Sequence, residues 1–265
     1  MNIKFDLFPQ GKTKALTMSY DDGQKFDRQL VKIFNKYGIK GTFHLNSGNL
    51  DGEAFITSGE VAELYKGHEV SLHTKTHPFL NCIPIEVLIE EIVEDRKVLE
   101  SLAGYPIKGM SYPFGVYDEK IVETLKSLGI QYSRTVVSHH DFRIPDNFLM
   151  WPATCHHDDN LLELGQRFLD YEYRGKLKLM YVWGHSYEFD RNNNWEVIED
   201  FCRLVSGKED IWYATNIEIM RYVKALKSLE FSQKGDIVYN PAAMTVWINV
   251  DGKAVEVKGG ETVIL

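Results

Sequence analysis

No run of apolar residues in this sequence approaches the roughly 20 needed to span a bilayer, so no transmembrane helix is expected. Cysteine is scarce. Cys82, Cys155 and Cys202 are odd in number and widely spaced, which suits neither a zinc knot nor a disulfide framework. They are expected as buried free thiols in a reducing compartment. The stretch from Met1 to Gln10 lacks the basic segment, apolar core and small-residue cleavage site of a secretory signal, and a cytoplasmic location is the expectation. An excess of positive charge is missing too: 30 Lys plus Arg face 38 Asp plus Glu, a formal net charge of -8. Such a chain has no general electrostatic reason to bind nucleic acid or an anionic membrane.

What is present is the composition of a globular protein, 44% hydrophobic and 26% charged over 265 residues. α/β barrels of about this length form one domain. Short β runs alternate with helical stretches. Ala15–Tyr20 reads as a first strand, followed by Leu30, Ile33, Phe34 and Tyr37 at helical spacing as far as Gly38. Gly41–Leu45 is a second strand, and Thr57 with Glu60 has the spacing of a capping box. Glu69–His73 is a third strand. A long helix is expected after Pro84, with Ile85, Leu88, Ile89, Ile92, Leu99 and Leu102 on one face and a stop at Gly104. Gly109–Tyr112, Ile130–Val136, Leu177–Trp183 and Ile211–Ala214 follow as strands, with helices between and after them. Seven such alternations predict a parallel sheet with helices packed outside it, open or closed. Residues 1–230 are read as this unit. Residues 231–265 are read as a small β appendage with a hairpin turn at Asp251-Gly252.

The polar residues with chemistry are not scattered. Asp21 and Asp22 follow the first strand, His73 closes the third, and Ser111 to Gly115 follows the fourth. Arg134 lies late in the fifth strand, and His185 stands just past the sixth. In parallel α/β folds these positions share the carboxyl-end rim, where active sites form. His73 and His77 offer two imidazoles, with Pro78 disfavouring helical geometry between them. Two histidines and a carboxylate suit a divalent transition metal, Zn²⁺ foremost, with coordination positions left open. Adjacent Asp21 and Asp22 repel and need a compensating cation. A turn at Gly23 would let both face one pocket, one ligating the metal while the other polarises water.

Ser19-Tyr20-Asp21-Asp22-Gly23, His73-Thr74-Lys75-Thr76-His77, Tyr112-Pro113-Phe114-Gly115 and Val182-Trp183-Gly184-His185 occur in that order. Together they resemble the successive motifs of the NodB-type polysaccharide deacetylases, carbohydrate esterase family four, over roughly residues 14–229. The resemblance implies a distorted (β/α)7 barrel. It also implies metal-dependent removal of acetyl groups from N-acetylated amino sugars in oligo- or polysaccharides. By it Asp21 is the general base, Asp22, His73 and His77 are the metal ligands, and His185 is the general acid. The backbone N–H of Phe114 would assist the developing oxyanion, and Tyr112, Pro113 and Phe114 would line the substrate. The family's fourth-strand motif begins with an Arg that pairs with the catalytic Asp. Ser111 stands there instead, and Arg134 is expected to supply the cation. Trp151, in a divergent remnant of the next motif, is expected as an apolar wall for the acetyl methyl. His139-His140 and His156-His157 are read as loop histidines rather than a second metal site. O-acetyl esterase, small-molecule amidase and carbohydrate-binding pseudoenzyme remain alternatives. The expected partner is an acetylated carbohydrate or small amide, and the oligomeric state stays open, a dimer included.

Overall fold

The computed structural model describes residues 1–172 and 175–265 of the chain. β1 (Ile3–Lys4) precedes the main sheet. β2 (Lys14–Asp22), buried along almost its whole length, is the central stave. α1 (Asp27–Tyr37), β3 (Gly41–Leu45), α2 (Val61–Leu64), β4 (Glu69–Leu72), α3 (Ile85–Ala103), β5 (Gly109–Ser111), α4 (Glu119–Ser127) and β6 (Tyr132–Ser138) then alternate strictly. Two short strands follow, β7 (Trp151–Ala153) and β8 (Cys155–His156), and after them α5 (Leu161–Leu169), β9 (Lys178–His185), α6 (Ser186–Arg191), α7 (Trp195–Val205), β10 (Ile211–Tyr213) and α8 (Asn216–Lys227).

The strand order is β7-β6-β5-β4-β3-β2-β9-β8, every ladder parallel, with β10 added to the first residues of β2. The two ends of that order are one piece of chain. Trp151 and Ala153 pair with β6, and Cys155 and His156 pair with β9. Between them Thr154 donates its N–H to Tyr181 O (2.8 Å) and its carbonyl accepts from His140 N–H (2.9 Å). The segment 151–156 therefore closes the sheet into a distorted (β/α)7 barrel, with β2, β3, β4, β5, β6, this segment and β9 as staves.

Periodicity predicts seven strands, but not these seven. The 151–156 stave falls in a stretch that reads as irregular, and Ile211–Tyr213, which reads as a stave, pairs only with the lower part of β2. Two strands of three and two residues carry too little alternation to be seen, and Pro152 argues against a strand.

α3 begins after Pro84 and ends at Gly104, whose φ of 78° completes a left-handed cap that side chains with a Cβ resist. Its buried face differs from the apolar pattern. Leu88, Ile92 and Leu99 are buried as expected, but so are Glu91 and Asp95, while Ile89 is exposed. Those acids have partners in the site loops, which outweighs burying one more isoleucine. Cys82 is exposed, whereas Cys155 and Cys202 are buried; all three are free.

After α8 come β11 (Glu230–Phe231), β12 (Ile237–Tyr239), β13 (Val246–Val250), β14 (Lys253–Val257) and β15 (Thr262–Ile264). They form two small antiparallel sheets, β11-β12-β15 and β1-β13-β14. Asp251 and Gly252, both at positive φ, make the β13–β14 hairpin turn. Val238, Val246, Ile248 and Val257 are buried in one cluster with Phe8, Tyr181, Tyr222 and Leu226, so this segment shares the barrel's apolar core. No helix among the described residues is long and apolar enough to cross a membrane.

Candidate active and metal site

Register sets the site. On β2 Asp21 stands opposite His44 of β3 and opposite His185 of β9. Ser111 of β5 is level with Arg134 of β6, which is level with Trp151. The residues expected on the carboxyl-end rim are therefore neighbours there. Asp21 and Asp22 come to one pocket by a different device from the turn expected at Gly23. Asp22 itself takes a φ of 79°, which breaks the alternation of the strand. Thr74, His77 and Phe114 also have positive φ, so four non-glycine residues around this site hold a conformation that costs energy and persists only where surroundings enforce it. Pro78 predicts an extended His77; its φ of 61° is left-handed instead.

Asp22, His73 and His77 place one ligand atom each within 4.8 Å of the others. His73 Nε2 lies 3.7 Å from Asp22 Oδ1, and His77 Nε2 lies 3.8 Å from the same oxygen. His73 Nδ1–H donates to Ser111 O (2.9 Å), which leaves the Nε2 lone pair toward the carboxylates. This donor set fits a divalent transition ion: two imidazoles, that of His73 oriented from behind by Ser111, a carboxylate, and open positions on the side where Asp22 and His77 are partly exposed.

Asp21 is 3% exposed and ion-paired with Arg134 Nη2, while Ser111 Oγ–H donates to its other oxygen (3.1 Å). Burial alone would raise this carboxyl, but Arg134, then His73, His44 and His185, outweigh it and hold it well below the usual carboxylate range. The cation absent at Ser111 thus reaches Asp21 from the next strand at the same level. Arg134 is itself fully buried, with its guanidinium 4.2 Å from the Trp183 ring centroid.

His185 follows a different logic. Burial would lower its pKa, but the Glu188 carboxylate and the fields of Asp21 and Asp22 raise it. Glu188 Oε2 sits 3.2 Å from His185 Nδ1 and also accepts the His185 backbone N–H (3.1 Å).

Several supporting residues escape a motif-based reading. Asp95 accepts the backbone N–H groups of Ser47 (2.8 Å) and His73 (3.2 Å). Glu91 accepts the Thr76 N–H (2.8 Å) and hydroxyl (2.7 Å), and Asn46 donates to the carbonyls of His73 and Thr74. The His73–His77 loop is thus held by two helix acids that sequence pattern assigns to a solvated face. Their i, i+4 placement between Leu88, Ile92 and Leu99 is the available signal.

Three expected substrate contacts are corrected. Trp151 is 1% exposed and packs on Tyr132, Phe148 and Tyr181, so its ring is core and offers no wall to a ligand. The Tyr112 ring is equally buried, its hydroxyl donating to Leu149 O (2.7 Å). Pro113 is buried too, whereas Phe114 is half-exposed, stacks on exposed Phe79 at 3.9 Å and meets the His77 ring edge at 4.4 Å. The loop reading of the histidine pairs holds for exposed His140, which pairs with Asp159, and for His139 beside Asp141. It does not hold for His156 and His157, which gather with Asp158 and Glu188. A groove of about 690 Å³ beside Gln131, Lys224 and Ala242 lies toward the amino ends of the strands, away from this chemistry.

Residues 9–133 match the polysaccharide deacetylase family. Over that stretch, just under half of the chain, the sequence is similar to polysaccharide deacetylases. A chitooligosaccharide deacetylase from a Bradyrhizobium strain is 24% identical over 136 residues, 50% of this chain and 61% of that one. A peptidoglycan-N-acetylglucosamine deacetylase of Bacillus cereus is 26% identical over 152 residues, 51% of this chain and 55% of that one. The chain thus spans less than two thirds of the length of these deacetylases. A solved candidate polysaccharide deacetylase from Mycobacterium smegmatis aligns with a TM-score of 0.64 at 17% identity, covering 83% of this chain and 93% of that one. That likeness shows the NodB-type fold across the barrel.

Proposed function

We propose that this chain is a divalent-metal-dependent hydrolase that removes acetyl groups from N-acetylated amino sugars in oligo- or polysaccharides. One observation carries the reading: ionised Asp21, clamped by Arg134 and Ser111, stands beside the Asp22–His73–His77 cluster and level with His185. The ligands would be Asp22, His73 and His77, and an ion there supplies Lewis acidity toward an acyl carbonyl and toward water.

Asp21 takes a proton from water as the water oxygen attacks the carbonyl carbon. Its low pKa keeps it ionised, and Arg134 fixes its orientation. The backbone N–H of Phe114, on a loop in left-handed conformation at the rim, donates to the oxygen where negative charge develops. The C–N bond then breaks. His185, whose pKa the Glu188 carboxylate raises, gives its proton to the departing nitrogen, since an amine anion is too poor a leaving group. The products are a free amine and acetate. The names of the related deacetylases support an amino-sugar substrate, as does the exposed Phe79–Phe114 stack beside His77, an apolar surface for a sugar face.

Acetate release from N-acetylglucosamine oligomers by the Zn²⁺-loaded protein tests this. Wild type should turn over, and Asp21→Asn should lose roughly 10²–10⁴-fold while still taking up metal. Zinc uptake without acetate release from any N- or O-acetylated sugar would make the chain a binding protein instead.

A further inference from the structure

We infer that His156, His157, Asp158 and Glu188 form a second divalent-metal site, closed and structural, behind His185. It does not depend on the acyl-hydrolase reading. One ligand atom from each of the four residues falls within 4.8 Å of the others. Glu188 Oε2 lies 3.1 Å from His156 Nε2 and 3.3 Å from His157 Nε2, and Asp158 Oδ1 lies 3.3 Å from His157 Nε2. Tetrahedral zinc with bonds of about 2.0–2.1 Å separates its ligands by about 3.3–3.4 Å. Three of the six pairs already stand at or near that spacing, and the others lie within 4.8 Å.

His157 is the second, independent sign. Its side chain is fully buried, and among the described residues neither ring nitrogen has a hydrogen-bond partner, although Nε2 faces two carboxylates. A buried imidazole with both nitrogens unsatisfied is costly and rare, and a ligated Nε2 removes half of that cost. The ring is also held rigidly. It stacks on Phe189 at 4.1 Å, lies parallel to Tyr20 at 5.8 Å, and packs so tightly on Gly184 that a Cβ there would come within 2.0 Å of Nδ1. The His157 backbone N–H donates to Trp183 O (2.9 Å), fixing the main chain from β9. A ring aimed, immobilised and unpaired is what a preorganised ligand requires.

The four residues come from two places, the end of β8 and helix α6, which begins directly after His185. An ion would join the barrel-closing segment to that helix. Four protein ligands leave no position for substrate, which marks a structural site. Glu188 also touches His185, so His185 would be positioned through the ion's ligand.

Zinc stoichiometry tests the assignment. Chelator-stripped wild type, dialysed against buffered Zn²⁺, should take up two equivalents, and His77→Ala and His156→Ala should each take up one. If His156→Ala fails to fold, Asp158→Asn, altered at an exposed side chain, carries the test and should also fall to one. Tetrahedral Co²⁺ absorption retained in His77→Ala and lost in His156→Ala would support the second site spectroscopically. One equivalent in wild type, lost in His77→Ala and kept in His156→Ala, overturns the second site and leaves the rim site standing. The reverse pattern upholds the second site and overturns the rim metal. Two equivalents retained in both His156→Ala and Asp158→Asn also overturn it.

Discussion

The two histidine–carboxylate clusters of this barrel differ in how they are built. Asp22 and His77 have left-handed backbones, as does Thr74 next to His73, and of the three ligands Asp22 and His77 are partly open to solvent. His156, His157, Asp158 and Glu188 add a fourth ligand, and their central ring is sealed between Tyr20 and Phe189. The first arrangement leaves room for a reactant and keeps its base, Asp21, at the edge. The second leaves none. Strain and openness mark the place where chemistry is proposed; closure and packing mark the place where only a tie between elements is needed.

Substitutions at the two clusters should therefore fail differently. The largest effect is expected at the open cluster. His77→Ala should abolish acetate release, a loss of at least about 10³-fold, with the circular dichroism spectrum unchanged because His77 is only partly buried. Turnover persisting within tenfold would mean the rim ion is not catalytic.

Next comes Arg134→Met, which strands a buried carboxylate. Stability should fall by about 3–5 kcal/mol, read by denaturant titration. With the cation gone, burial raises the Asp21 pKa. A base must be ionised to act, so the acid limb of kcat/KM should move to higher pH. An unmoved limb would show that Arg134 does not set the state of Asp21.

Glu188→Gln should cost less. Glu188 raises the pKa of His185, and an acid acts only while protonated. Its removal should move the alkaline limb to lower pH and slow amides more than esters, because an ester's leaving group needs the proton less. Equal loss on both substrates, with zinc content unchanged, would argue against His185 as the acid.

The smallest effect lies away from both clusters, at Glu69. Burial raises its carboxyl to about 7, against hydrogen bonds from Ile217, Tyr132 and Thr42. A carboxyl with a raised folded-state pKa binds its proton more tightly when folded. Its contribution is therefore fully present below the unfolded value and falls away as pH rises toward 7. The thermal midpoint should decline between roughly pH 4.5 and 7, and Glu69→Gln should flatten that slope whatever its effect on the midpoint itself.

The helix positions other than α6, the first five staves and the rim are legible in the sequence because each rests on a local rule: period, cap, or placement at a strand's carboxyl end. Arg134 is legible for the same reason, since late positions on neighbouring parallel strands come level. Asp95, Glu91 and Glu188 are not. An acid on a helix reads as solvated until the loop it supports is in place, and that loop comes from elsewhere in the chain. The 151–156 stave is hidden by its shortness, and with it the placement of His156 and His157 beside α6. Trp151 misleads in the opposite direction: an aromatic near a motif remnant reads as a substrate wall, but its register beside Arg134 puts it in the core.

The most direct test of the rim metal is a crystal of the zinc-loaded protein measured at the zinc absorption edge. An anomalous peak is expected among Asp22, His73 and His77, within coordination distance of all three and beside Asp21. Density that leaves those side chains pointing apart, with no peak between them at full zinc loading, would contradict it.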